Sequence, residues 1–299
     1  MAKQNWNTDM IADQTGRTVV ITGATSGIGK ETAKLLVSKK AKVIIGARNR
    51  IKAERVIEEI CQLYPEANIQ LKELDLTSLT SVNAFADSVI EDIDQLDLLI
   101  NNAGIMSCPF STTEDGYEIQ MGTNHLSHFV LTGRLMPLLK QAQDSRIVIL
   151  SSYAHHFGNI DLSDLNWEKR QYSTNKAYAD SKLANLYFLY ELTNRLKDDE
   201  NAPIVSAAHP GWTKTELQRH VKALGLLNHL FAQSVEQGAL PTLRAAFDRN
   251  VRSGDFYGPS KYFEMHGAPV KVKSSKRSLD KVIATKLWQQ CEALTGVRF

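Results

Sequence analysis

Residues 18–30 read TVVITGATSGIGK, a β-branched apolar run followed at once by a glycine-rich turn. The run predicts a buried strand, and the KETAKLL that follows the turn predicts a helix. Gly23 permits a tight turn, Gly27 leaves bare backbone for a pyrophosphate, and Gly29 lets the helix pack closely. The free N–H groups and positive dipole end of that helix would hold the phosphates. This strand, turn and helix favour a dinucleotide site over a glycine-rich turn without a ligand.

The same alternation of short apolar runs and longer helical patterns continues along the chain. Strands are predicted at residues 18–22, 42–47, 69–74, 96–100, 146–150 and 204–208, and helices at 29–38, 50–63, 79–93, 117–139 and 182–196. Such alternation is typical of a parallel sheet covered by helices on both faces. No linker or repeat interrupts it. We therefore predict an α/β protein with a Rossmann-like doubly wound parallel sheet, a single domain over residues 17–299 after an N-terminal extension at 1–16.

The overall composition limits the kinds of molecule that this protein is expected to bind. The 299 residues are 43% hydrophobic, enough for one large core, and 35 basic against 33 acidic residues leave a net charge of +2. This balance disfavours a dedicated nucleic-acid or membrane-surface binder, so a small molecule is the expected partner. Cys61, Cys108 and Cys291 are scattered, which predicts neither a disulfide framework nor a cysteine metal site. With no run of about 20 apolar residues, we expect no transmembrane segment and a cytoplasmic location.

The end of the second predicted strand bears on the choice of dinucleotide. An acidic residue there would bind a ribose 2′-hydroxyl and select NAD, but the residues are Gly46, Ala47 and Arg48. Arg48 offers a planar fork of donors to a 2′-phosphate, with Ser26 or Asn49 in support. The sequence therefore predicts NADP(H) over NAD(H). The alternative is that Arg48 is an ordinary surface arginine.

A catalytic pair is predicted at Tyr178 and Lys182. Their spacing of four places both side chains on one helix face, where the ammonium would stabilise a phenolate and make Tyr178 an acid/base for a carbonyl oxygen. Upstream, RIVILSS ends the fifth strand and offers Ser152, preferred over Ser151, as a hydrogen-bond donor to that oxygen. A YxxxK spacing alone is common by chance and would indicate only an exposed helix pair. The surrounding motifs favour a catalytic pair over an exposed helix pair.

Those motifs are NNAG at residues 101–104, Asn124 within MGTNHLSHF, and HPGWTKT at residues 209–215. In order and position, TGxxxGIG, NNAG, the helical Asn, SS, YxxxK and PGxxxT resemble the short-chain dehydrogenase/reductase family over roughly residues 13–295. The resemblance implies a catalytic tetrad of Asn124, Ser152, Tyr178 and Lys182. In it, Asn124 would hold a water that connects Lys182 to solvent, and Lys182 would also bind the nicotinamide ribose.

The resemblance also implies the cofactor contacts. Asp75 and Leu76 would meet the adenine, residues 102–104 the ribose, and residues 210–215 the nicotinamide and its phosphate. The complete predicted cofactor-binding set is Gly23, Thr25, Ser26, Gly27, Ile28, Gly29, Arg48, Asn49, Asp75, Leu76, Asn102, Ala103, Gly104, Tyr178, Lys182, Pro210, Gly211, Thr213 and Thr215.

Within the family, LINNAGIM, NHLSHFVLT, SSYAHHFG and YADSKLAN are similar to the retinol dehydrogenase group. That group reduces retinaldehyde and other apolar aldehydes or ketones with NADPH, which implies a reversible reductase of lipophilic carbonyls here. Light-dependent protochlorophyllide reductase shares NHxxHF and YxxxK, but its long insertion and its cysteines are missing. A hypothesis from another class is an NADP(H)-binding sensor or scaffold without turnover, since a fold alone does not fix a function.

Two long segments, residues 155–176 and 212–233, follow the carboxyl ends of predicted strands, where ligands bind in open α/β sheets. We expect His155, Phe157 and Trp212 to line the substrate pocket, with Trp167 at its rim. The apolar 212–233 segment is interpreted as a substrate loop or, with equal weight, as a contact in a homo-oligomer or as plain packing.

Four histidines lie close to the predicted catalytic residues. His155 and His156 follow Ser152, and His125 and His128 flank Asn124. No nearby carboxylates or cysteines complete a coordination shell, so we predict no metal site. His125 and His128 are interpreted as helix-packing residues.

Overall fold

The computed structural model describes residues 6–213 and 232–299, and in them a single sheet carries the fold. The strands are β1 (Thr18–Thr22), β2 (Lys42–Ala47), β3 (Ile69–Glu73), β4 (Leu98–Asn101), β5 (Arg146–Leu150), β6 (Ile204–Ala208), β7 (Phe256–Lys261) and β8 (His266–Lys271). Their order is β3-β2-β1-β4-β5-β6-β7-β8, and every neighbouring pair is parallel except β7 with β8. The winding direction reverses between β1 and β4, and such a switch point leaves a crevice at the carboxyl edge of the sheet.

Helices cover both faces of this sheet. They are α1 (Gly27–Ser38), α2 (Arg50–Leu63), α3 (Leu79–Ile90), α4 (Ser127–Gln141), α5 (Thr174–Arg195), α6 (Val235–Phe247) and α7 (Lys281–Thr295). One core layer lies between the sheet and α1, α2 and α6, and the other between the sheet and α3, α4 and α5, with α7 packed outside α5. The predicted doubly wound α/β fold is confirmed.

Alternate side chains of β1 point into these two core layers. Val19 and Ile21 are buried with Leu36 of α1, whereas Val20 is buried with Phe85 of α3 in the opposite layer. Successive side chains of a strand point to opposite faces, so a strand buried on both sides is apolar at every position. This is why the TVVIT run signalled a central parallel strand.

The C-terminal hairpin of β7 and β8 was not predicted. Its two strands carry Pro259 and Pro269, which face each other in the ladder and lack the N–H that a central strand needs. Proline is tolerated on an edge, and β8 is the edge strand of the sheet. Helix α6 was also not predicted, because Pro241 interrupts its helical pattern.

Around Asn124 the structure departs from the single helix predicted at residues 117–139. A short helical turn (Ile119–Met121) is followed by a π-helical segment (Gly122–Leu126), and only then does α4 begin. Oδ1 of Asn124 accepts from the Ile105 N–H at 2.8 Å and Nδ2 donates to the Ile105 carbonyl at 2.9 Å. Short π-helical segments are frequent at functional sites. Here the π-helical segment contains Asn124, whose side chain forms hydrogen bonds with both the N–H and the carbonyl of Ile105 in the loop after β4.

The described part of the predicted N-terminal extension packs against the domain. Trp6 and Ile11 are buried with Ala239 and Leu243 of α6. In residues 6–213 and 232–299, no helix combines the length and apolarity needed to cross a lipid bilayer.

Candidate active site

A cleft of about 500 Å³ opens at the carboxyl edge of the sheet, where the winding direction reverses. Its walls come from the glycine-rich turn, the ends of β2, β4, β5 and β6, and one face of α5. The predicted site residues that line it are Gly23, Thr25, Ser26, Gly27, Ile28, Gly29, Arg48, Asn49, Asp75, Leu76, Asn102, Ala103, Gly104, Ser152, Tyr178, Lys182, Pro210, Gly211 and Thr213. Thr215 and most of the predicted 212–233 substrate loop lie outside the described residues.

The glycine-rich turn has no room for side chains at its key positions. Gly23 has φ +69° and Gly27 φ +54°, the left-handed region that favours glycine. A Cβ at Gly29 would lie 2.4 Å from the Gly23 carbonyl oxygen and 2.5 Å from Asn102 Nδ2. Asn102 ties the turn to the end of β4 by donating to the Thr22 carbonyl at 2.7 Å. The result is a rigid cradle of bare backbone at the N-terminus of α1.

A buried hydrogen-bond network beneath the turn was missed by sequence reasoning. The Thr22 hydroxyl oxygen accepts from the N–H groups of Asn102 and Ala103 and lies 2.9 Å from Nε2 of His128. His128 Nδ1 faces the Asn124 carbonyl at 3.1 Å, and a carbonyl can only accept. Nδ1 therefore carries the proton and Nε2 accepts from Thr22. Burial lowers the pKa of His128 to about 4, which keeps the ring neutral.

Tyr178 and Lys182 lie on α5 and face the same cleft, as predicted from their spacing. Lys182 Nζ is 5.8 Å from the centre of the Tyr178 ring and donates to the Leu150 carbonyl at 3.3 Å. Burial raises the pKa of Tyr178 to about 12, partly offset by a hydrogen bond with Ser152, and burial lowers the pKa of Lys182 to about 8. Within the protein itself, desolvation dominates the pKa of the phenol, and the lowering comes from Ser152 rather than from the ammonium, which we had expected to cause it.

The two serines at the end of β5 have different surroundings. Ser151 is buried, and its hydroxyl donates to the Lys182 carbonyl at 2.8 Å, which commits it to fixing α5. Ser152 is only partly buried, and its hydroxyl oxygen caps the following 3-10 turn (Tyr153–Phe157) by accepting from the Ala154 N–H at 3.2 Å. The Ser152 hydroxyl also forms a hydrogen bond with Tyr178 that lowers the pKa of the phenol, which places Ser152 at the catalytic end of the cleft. This geometry favours Ser152 as the donor to substrate.

Asn124 lies behind the cleft rather than in its lining. Besides its two bonds with Ile105, its Nδ2 donates to Ser181 Oγ at 2.9 Å. A Cβ at Gly104 would lie 3.1 Å from Asn124 Oδ1 and 3.3 Å from Lys182 Nζ, so both side chains approach the same bare backbone. The structure brings Asn124 close to Lys182, while its water-holding role stays a prediction.

The predicted substrate-pocket residues do not line the cleft. His155 is fully buried, and its Nδ1 donates to the Ser152 carbonyl at 2.7 Å while its Nε2 accepts from the Ser275 N–H at 3.0 Å. Phe157 is exposed, and Trp212 is half-buried outside the lining residues. Trp167 is buried beneath the Arg170 guanidinium, 3.6 Å away, so it is not a rim residue. Two long-range contacts account for part of this placement: His155 is bound by Ser275, and the Trp212 N–H donates to the Met265 carbonyl in the turn between β7 and β8.

Sequence reasoning also missed lining residues at both ends of the cleft. Ile105, Met106 and Cys108 line it directly after the NNAG motif, where the apolar letters IM were the available signal. Lys52 lines it beside Arg48. The signal for Lys52 was its place in the first turn of α2, where its N–H donates to the capping Asn49 Oδ1 at 2.9 Å.

The histidines near the site are held by neighbouring protein groups. Among the described residues, no group of three or more His, Cys, Asp or Glu side chains is arranged to hold a metal ion. Burial lowers the pKa of His125 and His155 to about 4 each, and His125 is occupied by Asn185 and Cys291. Their hydrogen bonds serve the packing of the site.

The sheet, the glycine-rich cradle and the tyrosine–lysine pair define an oxidoreductase of the short-chain dehydrogenase family, which uses a nicotinamide cofactor on CH–OH or C=O groups. The sequence profile of that family matches residues 17–224, and the chain belongs to it. Human retinol dehydrogenase 13 is 40% identical over 291 residues, which cover 94% of this chain and 85% of that protein. Human retinol dehydrogenase 12 is 40% identical over 289 residues, covering 95% and 88%.

A solved structure agrees over the whole chain. An uncharacterised protein from Mycobacterium paratuberculosis superposes with a TM-score of 0.84 at 39% identity, covering 99% of each chain. The likeness to this solved structure concerns the fold.

Proposed function

We propose that this chain is an NADP(H)-dependent oxidoreductase that reduces apolar aldehydes or ketones to alcohols by reversible hydride transfer. The observation that carries the proposal is a single cleft with a phosphate cradle and two cations at one end and Ser152, Tyr178 and Lys182 at the other. The bare backbone of the turn fits a dinucleotide: Gly23 and Gly27 have the positive φ that favours glycine, and a Cβ at Gly29 would clash with the Gly23 carbonyl oxygen and distort the turn.

The catalytic end supports reduction of a carbonyl. The nicotinamide, when bound, supplies the hydride. Tyr178, whose pKa burial raises to about 12, is protonated at neutral pH and can donate its phenolic proton to the carbonyl oxygen. Ser152 donates a hydrogen bond to the same oxygen and orients it. The Lys182 ammonium, held against the Leu150 carbonyl, then stabilises the phenolate left on Tyr178.

The preference for NADP(H) is supported by Arg48 and Lys52. Both line the end of the cleft beyond β2, and the last residue of that strand is Ala47 instead of an acid. Arg48 is mostly exposed, and its Nη1 is 3.5 Å from Asp75 Oδ2. An exposed pair of this kind is worth about 0–1 kcal/mol, so little stability is lost when Arg48 turns to a phosphate. A guanidinium binds phosphate oxygens in a bidentate manner, which an exposed carboxylate partner does not prevent.

The apolar substrate class is supported by Ile105 and Met106 in the cleft wall and by the names of the relatives, which are retinol dehydrogenases. A wall of apolar side chains with a few polar groups at the reacting oxygen is the usual form of a small-molecule site.

The test is oxidation of NADPH and of NADH with retinal, medium-chain aldehydes, quinones and steroids. We expect turnover with an apolar carbonyl and a kcat/KM at least about tenfold higher for NADPH than for NADH, a preference of about 1.4 kcal/mol. Binding of NADPH without oxidation by any compound would favour the sensor hypothesis. A preference for NADH would overturn the cofactor assignment.

A further inference from the structure

His209 lies directly after β6 and is completely buried. Its N–H donates to the Tyr257 carbonyl at 2.9 Å, and its ring lies 5.3 Å from the Phe256 ring. On the other side the ring meets bare backbone, because a Cβ at Gly258 would lie 2.1 Å from His209 Nε2. The imidazole is therefore held in one place by β7.

The two partners of this ring fix its tautomer. The Gly211 N–H donates to Nδ1 at 3.3 Å, and Nε2 lies 2.9 Å from Glu264 Oε2. A backbone amide can only donate, so Nδ1 carries a lone pair and the ring proton is on Nε2. That proton is donated to the Glu264 carboxylate. Glu264 thus selects the form of His209 that can accept from Gly211.

Glu264 lies in the turn between β7 and β8, where the backbone is strained. Tyr262, Phe263 and Glu264 have φ of +51°, +54° and +62°, a region that non-glycine residues rarely occupy. Such strain persists only where the surroundings over-determine the conformation, and it concentrates at functional sites. The turn brings Glu264 into contact with His209, which lies 55 positions earlier in the sequence.

The same turn contacts the loop after β6 at further points. The Trp212 N–H donates to the Met265 carbonyl at 3.0 Å. Gly211 has φ +66°, and a Cβ there would lie 2.5 Å from the Met265 carbonyl oxygen. The hairpin turn therefore packs directly against the backbone of residues 211–212. Pro210, Gly211 and Thr213 in this loop line the cleft together with Tyr178.

We propose that Glu264 is a positioning residue for the reaction: by holding His209 in its Nε2-protonated form, it fixes the turn at Gly211 and with it the part of the cleft wall that Pro210, Gly211 and Thr213 form. The inference rests on the proposed function, because it concerns the cofactor-binding and catalytic competence of that cleft. Glu264 lies in the hairpin that no sequence motif predicted, and it acts through His209 without lining the cleft.

The test compares Glu264→Leu, Glu264→Gln and Tyr262→Leu. Leucine removes the acceptor, whereas glutamine keeps an oxygen that accepts from Nε2–H. Tyr262→Leu changes an exposed side chain in the same turn and leaves the His209 pair intact. The measurements are the Kd for NADPH from its fluorescence and the kcat and KM of NADPH oxidation.

For Glu264→Leu we expect about a tenfold rise in the Kd and KM for NADPH together with a fall in kcat, as for a lost charge-assisted hydrogen bond. Glu264→Gln and Tyr262→Leu should stay within about twofold of wild type. Wild-type values in Glu264→Leu, or equal damage in Glu264→Gln, would overturn the proposal. If no carbonyl is reduced but NADPH binds, the proposed activity fails while the Kd comparison still decides the role of Glu264. A wild-type chain that binds neither nicotinamide dinucleotide would overturn both.

Discussion

The charged side chains at the two ends of the cleft differ in their exposure to solvent. At the catalytic end Tyr178 and Lys182 are 6% and 4% exposed, and burial raises the pKa of Tyr178 to about 12 and lowers the pKa of Lys182 to about 8, so that both shifts favour the neutral form. At the other end the Arg48 side chain is 66% exposed and stays beside solvent. Desolvation makes a single charge expensive at the first end, while water screens it at the second. Substitutions should therefore cost most where the cleft is buried and least where it is open.

The largest effect is expected for Tyr178→Phe. Removing the phenolic proton donor should lower kcat by about 10³-fold, within the range for loss of a general acid, while NADPH affinity changes little. Tyr187→Phe on the same helix is the matched control, since Tyr187 is also buried but lies outside the cleft lining, and it should keep wild-type kcat. Retention of more than about a tenth of kcat in Tyr178→Phe would contradict the assigned role.

Gly29→Ala tests the phosphate cradle in the glycine-rich turn. The added Cβ would meet the Gly23 carbonyl oxygen at 2.4 Å, so we expect the Kd for NADPH, measured by fluorescence titration, to rise about 100-fold. Gly16→Ala is the control for backbone strain alone, because Gly16 has φ +82° and nothing within 4 Å of the added Cβ. It should lower the stability by about 1 kcal/mol and leave NADPH binding intact. Equal NADPH affinity in both variants would show that the cradle does not hold the cofactor.

The pH dependence of reduction tests the buried lysine. Burial lowers the pKa of Lys182 to about 8, so its ammonium is present below that pH and is lost above it, while Tyr178 stays protonated up to about pH 12. The kcat/KM for carbonyl reduction should accordingly fall about tenfold per pH unit once the pH exceeds about 8. In Lys182→Arg the alkaline fall should disappear, since a guanidinium does not titrate there. A wild-type profile that stays flat to pH 10 would contradict this account.

The smallest effect is expected at the exposed end. Arg48→Ala should raise the KM for NADPH about tenfold and leave the KM for NADH unchanged, because only NADPH carries the 2′-phosphate. Arg50→Ala removes a neighbouring arginine that pairs with Glu54 and does not line the cleft, so it should change neither constant. Added salt should narrow the difference between wild type and Arg48→Ala, as expected for a screened contact. Equal losses for both nucleotides would remove Arg48 from 2′-phosphate recognition.

Sequence patterns predicted what depends on local geometry. Strand β1, the turn at Gly23 and the facing of Tyr178 and Lys182 follow from side-chain periods and from glycine conformations, all set within a few residues. The choice of Ser152 over Ser151 stays a prediction, and in the structure the Ser151 hydroxyl donates to the Lys182 carbonyl.

Features set by long-range packing were not predictable in the same way. The Thr22–His128 and His209–Glu264 contacts join residues separated by 106 and 55 positions, and neither residue pair forms a spacing motif. His155 was expected in the substrate pocket, but the 3-10 turn after Ser152 buries it against Ser275. The β7–β8 hairpin was not predicted because both of its strands contain a proline. The contacts by which this hairpin supports the loop at residues 209–213 were therefore not predicted either.

The most direct test of the proposed activity is the fate of a label from NADPH carrying deuterium at the transferable position of its ring. After incubation with retinal or another lipophilic aldehyde, the account predicts an alcohol with one deuterium on the former carbonyl carbon, absent with Tyr178→Phe and present with Tyr187→Phe. Bound NADPH that yields no labelled alcohol with any carbonyl, or a label transferred equally well by Tyr178→Phe, would contradict it.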